Sequence, residues 1–167
     1  MHARTSWKIA ATLCAIGVAG AAADRALAGP GNDFSGTYLA SLAERAEIMN
    51  LHRDGTATIT LSDQVTSGAG GFTFSDSFGS WKQIGSRKLA ARFVNLNFDI
   101  SGTPTFTGTA VVDYVLEFAP GLDTFAGSCQ GKIYPTGQDP FAPGAVPDVE
   151  FDCAYLTGNP YRRVPLP

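Results

Sequence analysis

Between residues 106 and 118 the chain alternates between two kinds of side chain. Phe106, Gly108, Ala110, Val112, Tyr114, Leu116 and Phe118 fall on one face, and Thr107, Thr109, Asp113 and Glu117 on the other. A period of two is that of a β-strand with one side buried and one in water. Two more strands precede it, at residues 80–84 and 88–98. The turn formers Gly85-Ser86 and Asp99-Ile100-Ser101-Gly102 follow them, where glycine supplies the positive φ of tight hairpins.

The same pattern runs to both sides. Residues 36–43 read as a strand, although their alanines and the following Glu44-Arg45-Ala46-Glu47 also suit a short helix; residues 47–52 favour strands, since they run straight into the turn Arg53-Asp54-Gly55. Residues 56–64 set Ala57, Ile59 and Leu61 against Thr58, Thr60 and Ser62. Residues 67–77 read as a long glycine-rich connection, and Phe72, Phe74 and Phe78 would suit an apolar lid over a barrel mouth. Residues 124–134 place Phe125, Gly127, Cys129, Gly131 and Ile133 on one face. In residues 149–156, Val149, Phe151, Cys153 and Tyr155 point inward, with Glu150, Asp152 and Ala154 outward. A short strand over 161–164 ends the series. Residues 135–148 carry four prolines and are expected to be irregular.

About eight or nine strands joined mostly by tight turns predict an all-β domain that must hide its sheet edges. An antiparallel up-and-down β-barrel does so by closure; a β-sandwich is the alternative. An outer-membrane barrel fits less well, since Thr107, Thr109, Asp113 and Glu117 face out from the longest strand.

Residues 1–28 read as a secretory signal peptide. His2, Arg4 and Lys8 make a basic start, residues 9–23 an apolar run, and Ala26-Leu27-Ala28 a cleavage site. The apolar run is shorter than the roughly 20 residues that span a bilayer. The expectation is a chain that is secreted or periplasmic, cut near Ala28, with residues 29–167 forming one barrel domain and no stable membrane insertion. Removing Arg4, Lys8, Arg25 and Asp24 from the 12 basic and 15 acidic residues leaves a net charge of −5. That mildly acidic, scattered charge gives no footprint for nucleic acid.

In an oxidising compartment, Cys129 and Cys153 are expected to form a disulfide, with buried free thiols as the alternative. If Cys129 lies opposite Cys153 in an antiparallel pair, Ile133 lies opposite Val149 and the proline-rich segment is the connection. A closely spaced, non-hydrogen-bonded pair would suit the bond.

With the residues laid out this way, the chain resembles a group of small exported bacterial proteins with a lipocalin-like (calycin-type) β-barrel. The matching pieces are Gly36-Thr37-Tyr38, Arg53-Asp54-Gly55-Thr56, Phe78-Gly79-Ser80-Trp81 before Ile84-Gly85, and the run from Arg87 to Phe93 continuing to Phe98-Asp99-Ile100-Ser101-Gly102. The tail from Tyr161 to Pro167 is similar to that group's closing strand. The resemblance implies a fold more than an activity, since members of the group mostly lack an established function. The cysteine pair and the proline-rich connection depart from the usual pattern.

The motifs of hydrolases, zinc sites, redox dithiols and calcium loops are absent from the sequence, so no catalytic residue, metal or cofactor is assigned. His52, the single histidine after the leader, reads as a surface residue beside a turn. Arg92 shares parity with Ala90, Val94, Leu96 and Phe98. Either it enters the barrel, where it would need a carboxylate, or the strand twists and it reaches water. Tyr38 and Trp81 are expected to plug one end. The candidate cavity lining is Arg92, Phe106, Val112, Tyr114 and Phe125, with Gly108, Ala110 and Gly127 leaving room among them.

Three functions fit this reading. The first is an exported, non-enzymatic barrel that binds a small hydrophobic ligand, which predicts a cavity of a few hundred Å³. The second is a filled barrel acting through its surface as an interaction or envelope protein. The third is a cyclase- or isomerase-like barrel enzyme, which requires an inward ionisable group.

Overall fold

The structure, a computed structural model, describes residues 33–41, 45–64, 71–153 and 159–167. The expected leader, the end of the first expected strand and the inward Tyr155 lie outside the described residues.

Ten strands follow in chain order: β1 (Gly36–Ser41), β2 (Ala46–Leu51), β3 (Thr56–Leu61), β4 (Phe72–Phe74), β5 (Ser77–Gly85), β6 (Lys88–Asp99), β7 (Thr105–Phe118), β8 (Thr124–Pro135), β9 (Val149–Asp152) and β10 (Tyr161–Arg163). Eight of them close an antiparallel ring in the order β10-β1-β2-β3-β5-β6-β7-β8. Closure is made by β10, which pairs with β1 through Tyr38 and Leu39 and with β8 through Thr124 and Phe125. The molecule is therefore a closed eight-stranded barrel, not a sandwich.

Two strands stand outside the ring. β4 pairs with the end of β6, Asn97 to Asp99, beyond the reach of β5. Part of the expected glycine-rich connection is thus strand: β6 overshoots its hairpin partner, and Phe72-Thr73-Phe74 has the β-prone side chains to cover the exposed edge. β9 lies along the upper half of β8, Gln130 to Ile133, on the same edge that β10 occupies lower down. The strand expected over 56–64 ends at Leu61, and Ser62–Gln64 forms a 3-10 turn. There the Ser62 hydroxyl accepts from the Ala46 N–H at 2.7 Å, which turns the chain out of the ladder.

The cysteine register is as expected. Ile133 lies opposite Val149, and Cys129 and Cys153 are joined by a disulfide with a Cα–Cα distance of 5.2 Å. The pair differs from expectation in one respect: the Cys153 N–H donates to the Cys129 carbonyl at 3.4 Å, because this register puts the cysteines at a hydrogen-bonding position of the ladder.

The inward positions of β7 explain where the core sits. Starting from the turns at 53–56, 85–88 and 118–124, they run Phe118, Leu116, Tyr114, Val112, Ala110, Gly108, large to small. At the Phe118 end the barrel is solid. Phe34, Tyr38, Phe118, Phe125 and Tyr161 are all at most 1% exposed. Phe125 stacks on Tyr161 at 4.5 Å, Tyr38 meets Phe125 edge-on at 5.0 Å, and Phe34 meets Phe118 edge-on at 4.9 Å. Each such ring contributes about 1.5–3 kcal/mol by leaving water. Trp81 closes this end from β5, its indole N–H donating to the His52 carbonyl at 2.9 Å. Arg163 ties the closing strand to the first: its guanidinium donates to the Ser35 and Asp33 carbonyls and to the Tyr38 hydroxyl, and lies 5.1 Å from the centre of the Tyr38 ring. Burial pushes the Tyr38 phenol up to about 12.

Candidate functional site

The upper half of the barrel is a cup. Where the inward residues of β7 shrink to Val112 and Ala110, the ring is no longer filled, and a cavity of about 290 Å³ remains. Its floor is Phe93 and Tyr114, packed edge to face at 5.4 Å. Its walls are Val112 and Ala110 from β7, Ile133 from β8, Phe151 from β9, and Phe72 and Phe74 from β4. Both strands outside the ring thus contribute aromatic wall to the cup.

The polar groups come from four directions. Asn95 and Asn97 follow Phe93 on the inward face of β6, and Ser77 begins β5. The Asn95 amide donates to the Ser77 hydroxyl at 3.2 Å. Among the described residues, Asn95 Oδ1 and Asn97 Nδ2 have no hydrogen-bond partner, although Asn97 is only 2% exposed. At the rim, Arg45 sits 3.3 Å from an Asp63 carboxylate oxygen and 3.5 Å from one of Glu47. Glu47 points inward from β2 and is itself buried. Asp152 reaches the rim from the end of β9. That differs from the outward position expected of it, because the strand stops at Asp152 and, among the described residues, is paired on one side only.

The five residues expected to line a cavity fall in three places. Val112 and Tyr114 line the cup. Phe125 is in the solid end, stacked on Tyr161, since it lies at the lower end of β8 where the ring is closed by β10. Arg92 is on the outside, half-exposed, and pairs with Asp113 directly across the β6–β7 ladder at 2.6 Å. The inward residues of β6 are Leu89, Ala91, Phe93, Asn95 and Asn97, not the apolar set that shares Arg92's parity. The Asp113 carboxylate raises the Arg92 pKa above its ordinary value, in keeping with a charged surface pair.

Phe106 is also outside. The register slips by one residue between Asn97 and Phe98: Asn97 faces Gly108, and Phe98 faces Phe106. Thr107 is the extra residue. Such a bulge reverses the parity of everything beyond it, so Phe106 meets Phe98 at 6.0 Å on the outer face. Gly108 allows this crossing, because a Cβ there would lie 2.1 Å from the Tyr134 carbonyl oxygen.

Sequence reasoning missed Asn95, Asn97, Glu47, Arg45 and Asp63. A signal for the first two was present: Asp113 faces outward on β7, and a hairpin register that places Arg92 opposite it turns Phe93, Asn95 and Asn97 inward. Among the described residues there is no group of three or more histidine, cysteine or acidic side chains arranged to hold a metal ion. Nor is any described helix long and apolar enough to cross a membrane, which says nothing of strands. Comparison of the chain with protein-family models, with curated proteins and with solved structures finds no match.

Proposed function

We propose that this protein is an exported barrel that carries a small, mainly apolar molecule in its upper half, as the resemblance to lipocalin-like proteins implies. The observation that carries this reading is the cup itself. One end of the barrel is packed solid with aromatic rings, and the other keeps about 290 Å³ walled by apolar side chains. That volume is at the small end of the roughly 300–1,000 Å³ of ligand pockets, and the few inward polar groups match their usual composition. A barrel acting only through its surface would have no use for a residue as small as Ala110 between the aromatic walls of β4 and β9. Export follows from the leader-like residues 1–28 and agrees with the Cys129–Cys153 disulfide.

Native mass spectrometry of the chain purified from a periplasm, without detergent, tests both parts. The expected result is a chain beginning at Gly29 that carries a discrete extra mass released on denaturation. Ala110→Phe, which fills the cup from a position 3% exposed, should fold with the same circular dichroism and lose that mass. An Ala110→Phe protein that retains it would place the ligand elsewhere.

A further inference from the structure

We propose that the cup takes an uncharged molecule with an apolar body and an amide-type head, a carboxamide or lactam. This rests on the ligand-binding reading and names the class of ligand.

Two buried groups set the head. Asn97 Nδ2 is a donor and Asn95 Oδ1 an acceptor, both without a partner among the described residues. They come from alternate residues of β6 on one face, so their backbones stand roughly 7 Å apart. The other end of the Asn95 amide is held by Ser77 at 3.2 Å, which leaves Oδ1 as its remaining polar atom. A ligand that completes this wall must therefore accept one hydrogen bond and donate another from neighbouring atoms. An amide does so, its carbonyl taking the Asn97 N–H and its N–H reaching Asn95. A carboxylate has acceptors only, and an ammonium donors only, so each would leave one asparagine group buried and unmatched.

Charge weighs further against the anionic head. The rim carries Asp63, Asp152 and the adjoining Glu47 against one guanidinium, Arg45, which is already ion-paired to two of them. An anionic head would enter a field of its own sign. Below the head, Phe93, Val112, Ala110 and Phe151 offer only hydrocarbon.

Calorimetric titration of the disulfide-bonded chain at pH 7 with octanamide, octanoate and octylamine, which share a similar tail, reads the head alone. Octanamide is expected to bind about tenfold more tightly than either charged analogue. Asn97→Leu, of similar shape without the amide, should weaken octanamide by about tenfold and move octylamine, whose ammonium cannot accept from Asn97, by less than about twofold. Should that variant fail to fold, Asn95→Leu reads the head's other hydrogen bond, the one its N–H gives to Asn95 Oδ1. Octanoate or octylamine binding as well as octanamide overturns the head assignment and leaves the cup a ligand site. Equal binding of octanamide to wild type and variant also overturns it, since trapped water would then serve the two asparagines. No binding of any of the three to the wild type overturns the ligand-binding reading together with it.

Discussion

At Gly131 an added Cβ would lie 2.0 Å from the ring of Phe151, the residue paired with it across the β8–β9 ladder. The ring therefore rests on bare backbone, and the glycine makes the seat for one wall of the cup. Gly131→Ala should lift the ring away and lower stability by about 1–3 kcal/mol, measured by urea unfolding. Tyr38 makes a different case. Its phenol is raised from an ordinary value of 10.0 to about 12, so the folded state favours the neutral form. The stabilisation is fully present below the unfolded value and is lost as pH rises from about 10 to about 12. Urea midpoints measured across that range should fall for the wild type and fall less for Tyr38→Phe.

At the level of elements, β7 was legible because its inward residues are apolar from 108 to 118 and its outward ones include Thr109, Asp113 and Glu117. β6 was not, for a physical reason. A strand that lines a cup carries polar residues inward, at Asn95 and Asn97. It can also carry apolar residues outward, as at Leu96, 43% exposed. Hydrophobicity then assigns the faces wrongly, and the cross-strand pair Arg92–Asp113 assigns them correctly. The bulge at Thr107 was hidden too, since alternation continues through it in the sequence while the register does not. The disulfide was legible because both cysteines keep the parity of their strands. It closes a span of 24 residues, so Cys129→Ser with Cys153→Ser should lower stability by about 3 kcal/mol. Among the described residues β9 has no strand on its far side, so the same variant should loosen the Phe151 wall. Exchange of the Gly131 and Phe151 amides should quicken before that of the β6–β7 ladder.

For the whole molecule, the closed ring was the simplest answer to eight or so strands with almost no helix. The position of the cavity was foreshadowed by the size gradient along β7. The rim was not legible, because Arg45, Glu47 and Asp63 come together only when β2 and the turn after β3 meet in space.

The way the ring closes also sets an order of events. Arg163 bonds to the carbonyl of Ser35 across a separation of 128 residues, and the strand that carries it is three residues long. Until that short segment has been synthesised, the sheet has nothing with which to close, and β1 and the lower end of β8 remain open edges. Contacts so distant in sequence form slowly. The ring is thus kept open until residues 161–163 have emerged, however early the strands from β1 to β8 pair. A version ending at Pro160 should keep its β5–β8 meander and associate through the two bare edges, seen as a concentration-dependent rise in mass by light scattering.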